Sequence, residues 1–186
     1  MGAGLSKELA VTVALRDRIV FEPLGPDVRA PTRSTEQSAG YDIRAHLTLG
    51  PIRIHRGRVA AIVEEAAEEP EDGPASITLE PGDRALVPTG FRARLPAGFE
   101  AQIRMRSSLA WKRGLIVPNA PGTVDADYPD EWFVLVLNAG TAPLRIEHGE
   151  RIAQVVLHRY QVVDWEPGSV KITTDRIGGL GSTGTS

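Results

Sequence analysis

The sequence predicts an all-β fold of the sandwich or barrel kind, and three observations indicate it. Short apolar runs of about 4 to 10 residues, rich in β-branched side chains, recur along the 186 residues of the chain. Turn-forming residues separate them, because 19 glycines and 14 prolines are scattered between the runs. Several runs alternate in character, as Phe91, Ala93 and Leu95 do with Arg92 and Arg94. The chain is long enough to bury one core, and we expect a single domain.

Most of the apolar runs are predicted strands, and one further segment is a predicted helix. The strands are VTVAL (11–15), RIVFEPL (18–24), YDIRAHLTL (41–49), RVAAIV (58–63), ASITL (75–79), RALVPTGFRARL (84–95), EAQIRMR (100–106), GLIV (114–117), WFVLVLN (132–138), LRIEHG (144–149), RIAQVVLHRY (151–160) and SVKITT (169–174). The helix is short, SSLAWKRG (107–114), with Ser107 or Ser108 as its N-cap and Gly114 at its end.

Composition excludes several classes of function. The net charge of −3, with basic residues spread along the chain, predicts no stable nucleic-acid binding but leaves room for a small anionic ligand. There is no cysteine, and the histidines lack any metal-ligand spacing, so we expect no tightly held zinc and place each at the surface or at a strand end. They are His46, His55, His148 and His158. With neither a membrane-length apolar run nor a secretory signal in MGAGLSKELA, the expected location is the cytoplasm.

Two segments differ from the rest in composition. Residues 64–73, EEAAEEPEDG, are acidic and predicted to form a mobile loop between strands. The last eleven residues, RIGGLGSTGTS (176–186), are too poor in apolar residues to pack a core. They fit either a frayed tail or a flexible arm whose glycine amides and hydroxyls fold over a phosphate ligand.

Residues 119–129, NAPGTVDADYP, connect two predicted strands as a hairpin. We expect its returning arm to alternate, with Asp125 and Asp127 on one face and Val124, Ala126 and Tyr128 on the other. Carboxylates crowded on a hairpin are typical of an active-site loop, and equally of a solvated acidic turn. The hairpin alone leaves both interpretations open.

Five patches occur in a definite order, and together they carry a family resemblance. They are SAGYDIRA (38–45), RSSLAWKRGL (106–115), NAPGTVDADY (119–128), ERIAQVVL (150–157) and GGLGSTG (178–184). This order resembles the five-motif signature of the trimeric dUTPases, within the dUTPase and dCTP deaminase superfamily. The resemblance extends over nearly the whole chain from Pro31, including PTG (88–90) and LPAGFEAQIR (95–104).

The resemblance implies a jelly-roll-like β subunit, a homotrimer with active sites at the subunit interfaces, and hydrolysis of dUTP to dUMP and pyrophosphate with Mg²⁺. It divides the chain into one β domain, residues 1–175, and a flexible Gly-rich lid, residues 176–186, that closes a neighbouring subunit's site. The tail is thereby expected to act as an arm rather than a frayed end.

Roles for individual residues follow from the same resemblance. Asp125 matches the carboxylate that deprotonates the attacking water, and Gln154 matches the amide that helps to hold it. Tyr128 matches the ring that stacks on deoxyribose and excludes a 2′-hydroxyl. The uracil edge is read by the hairpin through Asn119 and the backbone of Gly122, Thr123 and Val124.

The phosphates are assigned to the second motif. Arg106, Ser107 and Ser108 match its guanidinium, hydroxyl and amide donors. Asp42 matches an acid that supports the arginines and the hydrated metal. Mg²⁺ is expected to bind through the triphosphate and water, with no direct protein ligand.

The fifth motif departs from the family pattern. Leu180 stands where an aromatic residue or His is usual, and Arg176 lies four residues before it instead of five. A leucine covers a base but lacks a π-face. The remaining residues of this motif expected to contact substrate are Gly181, Ser182 and Thr183. Pro129 and Asp130 replace the usual Arg-Gly after the tyrosine.

Two alternatives remain from the sequence. RSSLA is also typical of dCTP deaminases, but those enzymes carry a catalytic Glu three residues before the Asn that ends the strand after the hairpin. Counting back from Asn138 gives Leu135, so deamination, alone or combined with hydrolysis, ranks below dUTP hydrolysis. The altered fifth motif also suits a non-catalytic homologue that binds a deoxynucleoside triphosphate.

Overall fold

The computed structural model describes residues 18–174, and strands make up nearly all of their regular structure. One helix, α1, spans Ser107–Arg113. The strands are β1 (Val20–Pro23), β2 (Thr32–Arg33), β3 (Tyr41–Arg44), β4 (Ile52–Arg56), β5 (Ala61–Glu65), β6 (Ser76–Leu79), β7 (Arg84–Pro88), β8 (Phe91–Arg94), β9 (Phe99–Met105), β10 (Leu115–Ile116), β11 (Gly122–Val124), β12 (Phe133–Asn138), β13 (Leu144–Glu147) and β14 (Arg151–Arg159). The predicted all-β fold with one short helix is confirmed.

Two five-stranded antiparallel sheets supply most of the fold. One has the order β10-β12-β7-β4-β5 and the other β11-β9-β14-β3-β2, with the two-stranded sheets β1-β8 and β13-β6 beside them. Inward side chains of both large sheets, such as Ile54 and Val136 in the first and Ile43 and Val155 in the second, belong to one core cluster. Because each strand buries alternate residues, a slip of one position would expose these side chains, and the register is fixed.

Several predicted strands differ from the observed ones. The run at 84–95 is two strands, because Gly90 (φ 77°) turns the chain so that β7 and β8 pair in different sheets. Strand β4 was missed, since its apolar residues alternate with Arg and His between a Pro and a Gly. The prediction for 169–174 was wrong, because this segment has no strand partner in the described chain and leaves Val170 and Ile172 about 90% exposed. The run at 11–15 lies outside the described residues.

The acidic segment is more structured than the sequence indicates. Strand β5 continues through Glu64 and Glu65, and the backbones of Glu68 and Ser76 exchange two hydrogen bonds of 2.8 and 2.9 Å. Local composition suggested a loop from residue 64 onward. Pairing with β4 and a charge contact from Arg56 to Glu65 extend the strand instead.

The predicted C-terminal end of the helix is confirmed, and the predicted N-cap was wrong. Gly114 ends α1 in the left-handed region (φ 66°), and its N–H donates to the carbonyl of Ala110, as expected for a C-terminal glycine. The N-cap is Arg106, not Ser107 or Ser108, and it makes no side-chain cap hydrogen bond. The backbone of Arg106 is extended, and its side chain contacts Asp42 and the carbonyl of Arg151. No helix in residues 18–174 is long and apolar enough to cross a membrane.

A buried carboxylate joins β4 to the turn before β7. Asp83, 1% exposed, accepts hydrogen bonds from Arg56 (2.7 Å) and from the backbone N–H groups of Gly57 (2.8 Å) and Glu80 (3.0 Å). Burial alone would raise the pKa of Asp83, but the hydrogen bond from Arg56 and those from the two amides lower it below 3.8. The ionised carboxylate therefore holds the end of β4 to the turn before β7.

Asp83→Asn should lower the free energy of unfolding by about 3 kcal/mol, because it leaves Arg56 and two amides facing a neutral amide. Urea unfolding at pH 7 measures this, with the exposed Asp72→Asn as a control that should change little. Since the folded pKa lies below 3.8, the unfolded chain takes up the proton first as the pH falls. The difference between wild type and Asp83→Asn should be full at neutral pH and shrink only below about pH 3.8. A difference that is already small at neutral pH would contradict this role.

Candidate active site

The register of three strands places polar side chains in one row on the outer face of the second large sheet. Gln154 on β14 lies opposite Asp42 on β3 and opposite Arg104 on β9. The neighbours Ile43 and Val155 point into the core. The alternation that fills the core therefore also presents Asp42 and Gln154 side by side at the surface.

Asp42 binds two arginines with its two carboxylate oxygens. Oδ1 lies 3.2 Å from Nε of Arg106, and Oδ2 accepts from Nη1 of Arg151 at 3.0 Å and from the hydroxyl of Ser34 at 3.3 Å. Arg106 also donates to the backbone carbonyl of Arg151 (3.1 Å). Two guanidiniums held by one carboxylate leave a net positive charge, and guanidinium donors in fixed positions suit phosphate oxygens.

Arg151 is a site residue that the sequence interpretation missed. Residues three apart in a regular strand point to opposite faces, so Arg151 and Gln154 were not expected on the same side. A β-bulge between Arg151 and Ala153 shifts the register, and Ile152 and Ala153 both face the core. The signal is present in the sequence as two successive apolar residues between polar ones.

The absence of a side chain at Gly40 leaves room for the side chain of Gln154. A Cβ atom at position 40 would lie 2.1 Å from Oε1 of Gln154 and 3.3 Å from its Cβ. Any other residue there would displace the amide from its position opposite Asp42. Gly40 lies in the first sequence patch, but nothing in the sequence alone indicated which side chain it accommodates.

Arg106 begins the short helix that carries the two serines of the second patch. Ser107 and Ser108 are exposed at the first two positions of α1. Their hydroxyls are therefore free of the core and lie next to an arginine fixed by Asp42. Arg106, Ser107 and Ser108 form one polar edge with Asp42.

The hairpin residues are positioned by pairing between β11 and β9. Gly122 lies opposite Ile103 and Val124 opposite Ala101, and both hairpin residues are buried, while Thr123 is exposed. Exposed Asn119 lies beside Gly122, its Nδ2 being 3.4 Å from where a Cβ on that glycine would be. Gly122, Thr123 and Val124 are the whole of strand β11.

Beyond Val124 the predicted alternation holds as far as Asp127, because Ala126 packs against the core between exposed Asp125 and Asp127, but it was wrong for Tyr128. The N–H of Tyr128 donates to the carbonyl of Asp125 (3.2 Å), so residues 125–128 form a turn instead of continuing the strand. Asp125 and Asp127 are exposed, and Tyr128 is 38% exposed. The turn carries all three side chains away from the core.

The structure thus brings the candidate residues together as two groups. Asp42, Arg106 and Gln154 form the first, with both serines, and the hairpin residues form the second. Within residues 18–174 no hydrogen bond or ion pair joins Asp125 to the first group. The fifth-motif residues Arg176, Leu180, Gly181, Ser182 and Thr183 lie outside the described residues.

Leu135 shares a surface recess with the hairpin residue Asn119. Both line a recess of about 370 Å³ that also includes Pro118, Leu86 and Ile62. Arg53, His55, Arg84 and Ala85 complete its described lining, and no carboxylate is among these residues. The position at which a deaminase would place its glutamate is therefore near the hairpin, and it is apolar here.

Comparison with known proteins defines first a broad class and then a family. The family model described as dCTP deaminase-like matches residues 7–160. The deoxyuridine 5′-triphosphate nucleotidohydrolase of Solibacter usitatus is 41% identical over 145 residues, which cover 74% of this chain and 99% of the relative. The enzyme of the same name from Rickettsia akari is 42% identical over 155 residues, covering 83% of this chain and 87% of the relative. The chain belongs to the deoxyuridine 5′-triphosphate nucleotidohydrolase family, the dUTPases.

Solved dUTPase structures share the fold. The Staphylococcus bacteriophage 80alpha dUTPase with dUPNHPP has a TM-score of 0.69 at 21% identity, covering 91% of this chain and 100% of that one. The Streptococcus mutans dUTPase has a TM-score of 0.58 at 23% identity, covering 78% and 98%. A mutant dUTPase from phage phi11 of S. aureus, which coordinates a structural Mg(II) ion, has a TM-score of 0.58 at 18% identity, covering 87% and 100%. The fold expected from the sequence patches is confirmed.

Gly40→Ala should rotate the side chain of Gln154 away from Asp42, because the new methyl group overlaps its amide. The free energy of unfolding should fall by about 1 kcal/mol, since the flexible end of the glutamine can move. The side-chain amide resonances of Gln154 report the rotation directly. Gly50→Ala is the control, because a Cβ there meets nothing within 4 Å, and an unchanged Gln154 resonance in Gly40→Ala would contradict the contact.

Proposed function

We propose that the protein hydrolyses dUTP to dUMP and pyrophosphate. The observation that carries this proposal is the row in which Asp42 holds Arg106 and Arg151 beside Gln154, in a chain of the dUTPase family. Two fixed guanidiniums bind the triphosphate, and a neutral amide next to them holds a water molecule. The arrangement has the parts that attack on a phosphoryl group requires.

The attacking water is activated by Asp125. This carboxylate is exposed on a turn. It forms no ion pair with an arginine and no hydrogen bond to a buried group in the described residues, and it is therefore available to accept a proton from water. Gln154 orients the same water toward the α-phosphorus. Pyrophosphate leaves as Arg106 and Arg151 stabilise the charge that develops on the phosphate oxygens.

The nucleoside is selected by the hairpin. Asn119 and the backbone of Gly122, Thr123 and Val124 hydrogen-bond to the uracil edge. Tyr128, which is 38% exposed, stacks on the deoxyribose and rejects a 2′-hydroxyl by contact. Ser107 and Ser108 add hydroxyl donors to the phosphates beside Arg106.

Mg²⁺ is the proposed cofactor, bound through the triphosphate and water. Asp42 is not a ligand in this proposal, because both of its oxygens are engaged by arginines. Its contribution is to fix those arginines. The metal neutralises charge on the phosphates, as is usual for a cation that keeps several waters.

The active unit is a homotrimer with sites between subunits. Two features of the single chain support this proposal. No hydrogen bond or ion pair joins Asp125 to the arginine group within residues 18–174, and in this proposal Asp125 meets Gln154 of another subunit. Residues 160–174 are also exposed throughout, and Trp165 and Val162 are 94% and 80% exposed, which gives a second copy an apolar segment to cover.

The remaining proposals concern the wider setting. Residues 1–175 form the β domain, and residues 176–186 act as the lid, with Arg176, Leu180, Gly181, Ser182 and Thr183 contacting substrate. The protein acts in the cytoplasm and neither inserts into a membrane nor binds nucleic acid stably.

Deamination of dCTP is not favoured as the alternative. It requires an acid or base to activate water for attack on the cytosine ring, and Leu135 occupies the corresponding position in a recess without a described carboxylate. A non-catalytic binder remains the other alternative, motivated by Leu180.

Asp125→Asn should lower the rate of pyrophosphate release from dUTP by about 10²- to 10⁴-fold, because the water loses its base. Binding of dUTP should persist, since the phosphate donors are unchanged. Pyrophosphate and ammonia are measured together over a panel of deoxynucleoside triphosphates with Mg²⁺. The exposed Asp127→Asn is the matched control and should retain the rate.

Three outcomes of this panel would reject the proposal. Pyrophosphate release unaffected by Asp125→Asn would reject the role of that base. Ammonia release from dCTP without pyrophosphate release from dUTP would establish deamination instead. Tight binding of dUTP by the wild type without turnover would identify a non-catalytic binder.

Truncation after Thr174 should leave a folded trimer with severely reduced turnover, because it removes the lid without touching the described strands. Sedimentation gives the oligomeric state, and pyrophosphate release gives the rate. A truncated chain that hydrolyses dUTP at the full rate would contradict the lid. A full-length chain that sediments as a monomer would contradict the trimer.

A further inference from the structure

Three side chains from separate parts of the sequence converge away from the proposed active site. Asp27 follows β1, His46 follows β3, and His148 lies in the turn between β13 and β14. Nε2 of His46 is 2.9 Å from Oδ1 of Asp27, and Nε2 of His148 is 3.0 Å from Oδ2 of the same residue. The two imidazole rings meet edge to face with their centroids 4.6 Å apart. We refer to these three residues as the Asp-His-His cluster.

The backbone holds the cluster in place. The N–H of His46 donates to the carbonyl of Pro88 (2.8 Å), and the N–H of Gly149 donates to the carbonyl of Ala45 (2.8 Å). The ring of His46 is buried, that of His148 is partly buried, and the carboxylate of Asp27 faces solvent. His46 lies just after the end of β3, at one of the two expected positions, but it is buried and not at the surface. The sequence spacing of the histidines gave no signal of the cluster, because its three residues come from distant segments.

The hydrogen bonds fix the protons of both rings. A carboxylate only accepts hydrogen bonds. Each Nε2 therefore carries the ring proton and donates a hydrogen bond to Asp27. The hydrogen bond from His46 lowers the pKa of Asp27 to about 2, and the weaker contribution of His148 acts in the same direction, so the group is a carboxylate at neutral pH. Nδ1 of His148 accepts from the N–H of Leu47 (3.1 Å), whereas Nδ1 of His46 is buried without a partner in the described residues.

We propose that the Asp-His-His cluster binds one divalent transition-metal ion, with zinc as the best match. Ligand atoms of all three residues lie within 4.8 Å of one another, close enough for one ion to contact all of them after a small inward movement. Two imidazole nitrogens and one carboxylate oxygen are a donor set that zinc accepts, leaving a fourth position for water. A recess of about 280 Å³ opens onto the cluster and gives that water access.

The surroundings favour coordination over simple charge attraction. Arg29 and Arg44 also line the recess and repel any cation, so an ion can be held there only by coordination to the cluster. The guanidinium of Arg44 is engaged with the carbonyl of Gly149 (2.6 Å). Imidazole ligands bind zinc far better than they bind Mg²⁺ or Ca²⁺, so the cluster selects the softer ion.

Binding changes which nitrogen of each ring carries the proton. The ion takes the lone pair of each Nε2, and each proton moves to Nδ1, so no net proton is released. Nδ1–H of His148 then opposes the N–H of Leu47, and the hydrogen bond between them opens. The amide of Leu47 is therefore a local reporter of the bound ion.

The proposed ion would fasten three segments that border the active-site strands. His46 lies four residues after Asp42, and His148 lies three residues before Arg151. Within the described residues, no hydrogen bond or ion pair of the cluster reaches Asp42 or Arg151, and the role we propose for the ion is to stabilise the fold. This proposal does not depend on the proposed function.

The test uses the full chain without an affinity tag, stripped of metal and titrated with zinc sulfate by calorimetry. One zinc per chain should bind, raise Tm and shift the Leu47 amide resonance. Asp27→Asn and His148→Gln should each weaken binding at least tenfold and abolish the rise in Tm. His158→Gln is the control, because this exposed histidine lies near Glu100 and outside the cluster, and it should bind zinc like the wild type.

Two kinds of result would overturn the proposal. One is zinc binding that is absent, or that Asp27→Asn leaves intact. The other is a preference for Mg²⁺ over zinc in a parallel titration. Both variants are at positions that reach solvent, and their unfolding curves without metal establish that they are folded before binding is compared.

Discussion

The pairing of β14 with β9 on one side and β3 on the other is the constraint on which the rest of the structure depends. It closes the second large sheet around Ile43, Ile103 and Val155, and so fixes part of the core. The same register sets Gln154 against Asp42 on the opposite face. Packing and chemistry are therefore specified together, since the strand cannot slip without losing both.

Asp42 extends that constraint from the sheet to the helix. By holding Arg106 and Arg151 it joins the start of α1 to the start of β14 across an exposed surface. The arginines would otherwise repel each other, and their long side chains would be free to move. A single carboxylate offsets the repulsion and selects one arrangement before any phosphate arrives, which is the value of preorganisation.

Much of the fold was predictable because it depends on local pattern. Alternation identified the strand at Phe91–Arg94, and Gly114 marked the end of the helix through its left-handed conformation. What the sequence could not give were relations between distant segments. The bulge that turns Arg151 to the same side as Gln154 and the meeting of Asp27 with His46 and His148 both arise from contacts between distant segments. The turn at Asp125 is local, but the alternating pattern of its sequence indicated a strand instead. The ordered patches located the candidate site, but not how its parts are joined.

The β-bulge in β14 makes the length of this segment as important as its composition. Residues before the bulge are out of phase with residues after it, so Arg151 and Gln154 share a face only because one extra residue stands between them. Removing Ile152 or Ala153 would regularise the strand, and because residues two apart share a face, the arginine would stay on the side of Gln154. A one-residue deletion at the bulge would therefore keep both polar residues on one face, whereas a one-residue deletion in the regular part of β14 would turn one side of it over.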